Sequence, residues 1–146
     1  MAARIVVGID GSENAKPALR WALDEARLRG ASLRVVYAWM PPAYAAGYGL
    51  VPGALVDSVA LGAIAKEELD KAIDSIVSDA KDVSIERVAV EGVAASVLVD
   101  QADEADLLVV GSRGHGGFAG LLLGSVSQQC AHHAPCPLVI VRAGDA

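Results

Sequence analysis

Aromatic residues make up only 4% of this chain, two residues are cysteine, and no apolar run approaches the length of a membrane span. With 53% apolar residues and so few aromatics, the core must be built from Val, Leu, Ile and Ala. A bilayer span needs about 20 apolar residues, so the positive mean hydropathy reads as a dense core rather than an anchor. Two cysteines, and no signal-peptide pattern in Met1-Ala2-Ala3-Arg4, speak against a disulfide scaffold and predict free thiols in the cytoplasm. Basic residues number 12 against 18 acidic ones, are scattered, and leave a net charge of −6, which argues against a nucleic-acid footprint. An anionic ligand stays open, because backbone N–H groups can hold a phosphate without basic side chains.

Several chemical signatures are missing as well. There is no Walker A loop and no Gly-x-Gly-x-x-Gly fingerprint after the first strand. No Ser-His-Asp order, nucleophile elbow or obvious carboxylate pair occurs. Cys130, His132, His133 and Cys136 do not have the spacing of a zinc site, and small buried thiols and a helix C-terminal His pair explain them more simply. Glu67, Glu68, Asp70 and Asp74 share one helical stretch and read as its solvated face.

What is present alternates between two periods. At 146 residues the chain is expected to be a single domain, 1–146. Apolar, β-branched runs at 4–9, 32–39, 84–91, 106–110 and 137–142 read as strands. Helical spacing covers 14–29, with its start near 12–14 because Pro17 fits only a first turn, and Gly30 as its stop. Further helices are expected over 57–81, 94–105 and 125–133. The stretch 40–56 holds three prolines and three glycines without a period and reads as a long loop. Strands alternating with helices imply an α/β fold with a parallel sheet covered on both faces. In such sheets ligands bind outside the carboxyl ends of the strands. Those ends are Ile9-Asp10, Ala38-Trp39, Gly92-Val93 and Val110-Gly111.

The chemistry-bearing pattern stands at the last of these ends. Gly111-Ser112-Arg113-Gly114 follows the fourth strand, and Gly124-Ser125-Val126-Ser127 opens the last helix, giving Gly-x2-Gly-x9-Gly-Ser. Glycines let backbone approach a ligand closely, and a helix N-terminus offers unpaired N–H groups and a positive dipole end. Together they read as a phosphate cradle. Ser125 could equally be a helix N-cap, with Gln128 completing a capping box, and the two roles are compatible. Asp10 could accept from a ligand amine or hydroxyl, help hold a metal ion, or serve only as a turn residue before Gly11. Arg113 could pair with phosphate or lie solvated.

These segments resemble the universal stress protein family. The resemblance rests on 6–12 (VVGIDGS), 106–114 (DLLVVGSRG), 123–127 (LGSVS) and 134–141 (APCPLVIV), and it covers nearly the whole chain. It implies an open five-stranded parallel sheet with strand order 3-2-1-4-5 and helices on both faces, Rossmann-like and of the adenine nucleotide alpha hydrolase kind. In the family's nucleotide-binding branch, Gly-x2-Gly-x9-Gly-Ser/Thr is the ATP motif, and this chain matches every defined position. The resemblance therefore implies ATP, with or without Mg2+, held by Gly111, Ser112, Arg113, Gly114, Gly124, Ser125, Val126 and Ser127. Ser125 and Ser127 would offer both hydroxyls and N–H groups to the phosphates. Asp10 would stand near the sugar or base, and Ile9, Ala38, Gly92 and Val93 would complete the pocket, with Ile9, Ala38 and Val93 lining the adenine slot. It implies a homodimer through the last strand, 137–142, and a stress-linked, nucleotide-dependent regulator rather than an enzyme. The alternatives are a dimer that binds cyclic AMP or no nucleotide, and an adenylating or slowly ATP-hydrolysing enzyme of the same superfamily.

Overall fold

Alternation along the first strand sets the architecture. In β1 (Arg4–Ile9), Ile5, Val7 and Ile9 pack into one apolar cluster and Val6 into another. The strand is therefore buried on both faces, as a central parallel strand must be. The computed structural model describes residues 3–11, 13–40, 58–77, 82–112 and 123–142. Around β1 are arranged α1 (Lys16–Arg29), β2 (Ser32–Trp39), α2 (Ser58–Val77), β3 (Ile85–Glu91), α3 (Ala94–Gln101), β4 (Leu107–Gly111), α4 (Ser125–His133) and β5 (Leu138–Val141). The five strands form one sheet in the order β3-β2-β1-β4-β5, every neighbouring pair parallel.

Two cores sandwich the sheet. Leu19, Leu23 and Ala26 of α1 and Leu69 and Ile73 of α2 cover one face, on Ile5, Val7 and Val35. Val97 and Leu98 of α3 and Cys130 of α4 cover the other, on Val6, Val36 and Leu108. Four-residue spacing in α2 brings Leu69 and Ile73 to the sheet, both fully buried.

Element ends follow from local chemistry. Gly30 closes α1 in the left-handed conformation, φ 63°, letting the Ala31 N–H reach the Ala26 carbonyl at 2.9 Å. The start of α1 differs from expectation. A 3-10 turn at Glu13–Ala15 precedes it, and the helix begins at Lys16, with Pro17 inside its first turn. Helix α3 stops at Gln101, short of 105, because the chain turns through Glu104 at φ 69°. Asp106 is not the first residue of β4; its carboxylate accepts from the Arg4 N–H at 2.8 Å and pins the start of β1. Ser84 likewise lies outside β3, and Pro137 and Arg142 outside β5. The 78–81 end expected for α2, and the 40–56 loop beyond Met40, lie outside the described residues.

Candidate functional site

The chain lays β2 and β3 on one side of β1, then crosses to β4 on the other. That reversal makes the crevice between the carboxyl ends of β1 and β4 the switch point where ligands of such sheets bind. Asp10, half-buried, stands immediately after β1, and Ser112, buried, immediately after β4.

Ser112 knots three elements together. Its N–H donates to the Val141 carbonyl at 2.8 Å, and its own carbonyl accepts from the Gly124 N–H at 2.6 Å. The same carbonyl lies 3.2 Å from the Ser127 hydroxyl, which also reaches the Gly124 carbonyl at 3.0 Å. The start of α4 is thereby fixed against the end of β4. Of the glycine motif, Gly111, Ser112, Gly124, Ser125, Val126 and Ser127 come together here, while Arg113 and Gly114 lie outside the described residues.

Two expectations about this helix start are corrected. The cap is not Ser125 but Gly124, in extended conformation (φ −75°, ψ 171°) and without any side-chain cap. Ser125 is the first helical residue, exposed to solvent, and no capping box forms. Gln128 reaches back differently: its Nε2 donates to the Leu123 carbonyl at 3.1 Å. The Ser127 hydroxyl, expected to face a ligand, is turned inward and spends its single proton on backbone carbonyls. What the first turn of α4 offers a ligand is therefore the backbone N–H groups of residues 125–127, at the positive end of the helix dipole, and the exposed hydroxyl of Ser125.

The other strand ends divide between the two faces of the sheet. Ala38 packs toward the α3–α4 core. The Gly92 N–H donates to the Trp39 carbonyl at 2.8 Å, bringing the end of β3 beside the end of β2. Val93, the residue capping α3, is 55% exposed there. Ile9 departs from expectation. Its side chain lies in the α1–α2 core, opposite in face to Ala38, because strand side chains alternate. The two do not line one slot, and only the backbone of Ile9 belongs to the crevice.

A second concavity was not read from the sequence. A cavity of about 280 Å³ opens between α1 and α2, lined among others by Ile9, Gly11, Lys16, Leu19, Glu68 and Ser75. It shares the Ile9–Gly11 corner with the crevice but holds neither Ser112 nor any residue of α4. The acidic residues of α2 are also more than a solvated face. Asp70 and Asp74 grip Arg87 of the edge strand β3 at 2.9 and 3.0 Å, holding its guanidinium in the charged form. Tyr37, a polar aromatic near the carboxyl end of β2, brings the end of its ring against Gly11, and it is the signal a sequence reading could have followed. Burial pushes the Cys130 thiol up to about 11, and burial raises Cys136 as well, with Asp106 adding to it and a hydrogen bond to the Leu108 backbone opposing it. Both are thiols at neutral pH, hence poor nucleophiles.

These features define a class: doubly wound α/β domains with a helix N-terminus set at the switch in strand order. The sequence model of the Universal stress protein family matches residues 1–142, and the chain belongs to that family. A universal stress protein of Mycobacterium tuberculosis is 36% identical over 140 residues, which cover 96% of this chain and 45% of the relative. The chain thus spans under half the length of that relative. Among solved structures, a universal stress protein in complex with cAMP is 33% identical, with TM-score 0.65, covering 97% of this chain and 98% of its own. One from Archaeoglobus fulgidus in complex with dAMP is 26% identical, with TM-score 0.65 and the same two coverages.

Proposed function

We propose that this protein binds an adenine nucleotide, ATP in particular, across the carboxyl ends of its strands, and acts in the cytoplasm as a nucleotide-dependent regulator of a stress response rather than as an enzyme. The observation that carries the reading is the start of α4, tied through Ser112 to the end of β4 and capped by a glycine with no side chain. Three consecutive N–H groups there suit the oxygens of a phosphate chain, and the inward hydroxyl of Ser127 leaves them uncovered by their own side chain. The base would lie toward Ala38 and Val93, with the Ala38 backbone reading its edge. Asp10 would take a sugar hydroxyl or base amine, and Mg2+ would bind with the phosphates rather than to a preformed protein site. Family membership and the cAMP and dAMP complexes of relatives support the adenine nucleotide class.

As a sensor, the protein would respond through the difference in nucleotide affinity between its conformations. A second copy would pair along the outer edge of β5, whose residues Leu138–Val141 are all only partly buried. The cAMP-bound relative favours a second reading, in which a single phosphate suffices.

Calorimetric titration separates the two. A charge-assisted hydrogen bond contributes about 1.5–3 kcal/mol, so each β- or γ-phosphate contact should tighten binding about tenfold or more. ATP is expected to bind at least about tenfold more tightly than AMP and cyclic AMP. Equal affinities would exclude the triphosphate cradle, and rapid substrate-stimulated release of pyrophosphate would favour the adenylating enzyme.

A further inference from the structure

The turn that carries Asp10 has an unusual backing. Gly11 sits at φ 81°, a left-handed conformation that glycine adopts readily and other residues reach only with strain. A Cβ on Gly11 would stand 3.2 Å from the hydroxyl oxygen of Tyr37, 3.4 Å from its Cε2 and 3.7 Å from its Cζ. The end of the Tyr37 ring therefore lies directly behind the turn, on the α1–α2 side of the sheet. The register explains why. Tyr37 pairs with Ile9, the last residue of β1, and β2 runs on to Trp39 after β1 has stopped. The Tyr37 side chain thus meets the chain where it leaves the sheet.

Helix α2 closes the other side. Glu68, half-buried, and Asp10 both stand close enough to disfavour ionisation of the Tyr37 phenol, which burial, the largest cause, already raises. The hydroxyl is therefore a neutral donor at physiological pH, held at the turn by its position against Gly11. Its other neighbour on the sheet, Trp39, lies against Gly62 of α2, so the end of β2 is braced by that helix.

We infer that Tyr37 is a positioning residue of the nucleotide site, its hydroxyl backing the Asp10–Gly11 turn and setting the reach of the Asp10 carboxylate toward the nucleotide. The inference rests on the proposed nucleotide reading and extends it to a residue that does not itself line the crevice. Tyr37→Phe keeps the ring against Gly11 and deletes only the hydroxyl. Loss of that hydroxyl should weaken ATP binding about threefold to tenfold.

The test is a double-mutant cycle on the full chain, with ATP affinity measured by calorimetry for wild type, Tyr37→Phe, Asp10→Ala and the double variant, and unliganded melting temperatures alongside. A positioning role predicts a loss on Tyr37→Phe in the wild-type background, none in the Asp10→Ala background, and an unchanged melting temperature. An equal loss in both backgrounds, tracking a lowered melting temperature, would reduce Tyr37 to a packing residue and overturn the inference. Wild-type binding with Tyr37→Phe unchanged would overturn this role alone. Absence of ATP binding by the wild type would overturn the nucleotide reading and this role with it.

Discussion

Replacing Gly124 with valine is expected to abolish measurable ATP binding while leaving the fold in place. Backbone strain is not the reason. At φ −75° and ψ 171°, Gly124 sits in extended geometry that valine adopts readily, and its N–H bond to Ser112 does not depend on the side chain. The reason is the added branch at the mouth of α4, beside the N–H groups of residues 125–127. Denying a phosphate chain two of those contacts removes about 3–6 kcal/mol at ~1.5–3 kcal/mol each, roughly a hundredfold or more in affinity. Ser125→Ala is the matched control. Its N–H persists and at most one hydroxyl contact is lost, so binding should fall far less than in Gly124→Val. Titration of both variants, with circular dichroism to confirm the fold, decides the matter. Retained affinity in Gly124→Val would refute the assignment of the phosphate end.

The second large effect concerns what holds the crevice in register. Gly8 lies in the middle of β1, paired with Val36, and α3 packs flush against it. A Cβ there would stand 2.5 and 2.7 Å from the Leu98 Cδ1 and Cδ2 atoms and 3.2 Å from Cγ. Leu98 is itself 4% exposed, among Val6, Val36, Ala102 and Leu108, so it has little room to withdraw. Gly8→Ala should therefore cost about 1–3 kcal/mol as an overpacked core, lowering the melting temperature by roughly 2–12 °C for a chain of this size. Leu98→Ala alone should cost about 2–5 kcal/mol through the cavity it leaves. The two changes should offset each other in part when combined, since one fills space the other vacates. Thermal melts of the two single variants and the double variant test this. Strict additivity would mean that Gly8 and Leu98 are not in contact.

Much of this was legible before any coordinates. Buried parallel strands are uninterrupted β-branched runs, so β1 and β2 could be delimited to the residue, and α4 likewise once its glycine was seen. The strand order came through family resemblance, because periodicity says which segments are strands but not which are neighbours. The misreadings have local causes. At α4, serine's general preference for helix caps pointed to Ser125, but the carbonyls of Ser112 and Gly124 drew the Ser127 hydroxyl inward and left the cap to glycine. At α3, the helix ends in a turn through Glu104, without the glycine that marks such a turn in sequence. Ile9 and Ala38 are both apolar residues at strand ends, and only the pleat and register reveal that they face opposite sides. Tyr37 of β2, Glu68 of α2 and Asp10 after β1 lie far apart in the chain, and nothing in their spacing foretells that both carboxylates bear on one phenol.

The central claim is that an adenine nucleotide lies across the strand ends with its phosphates on α4. Isotope-edited amide spectra of the protein, recorded with and without ATP, test it most directly. The account predicts that the amides of Ser112, Ser125, Val126 and Ser127 shift together with those of Ala38 and Val93, while Leu19, Ala72 and Ser75 around the α1–α2 cavity stay in place. Shifts confined to that cavity, or none at saturating ATP, would contradict it.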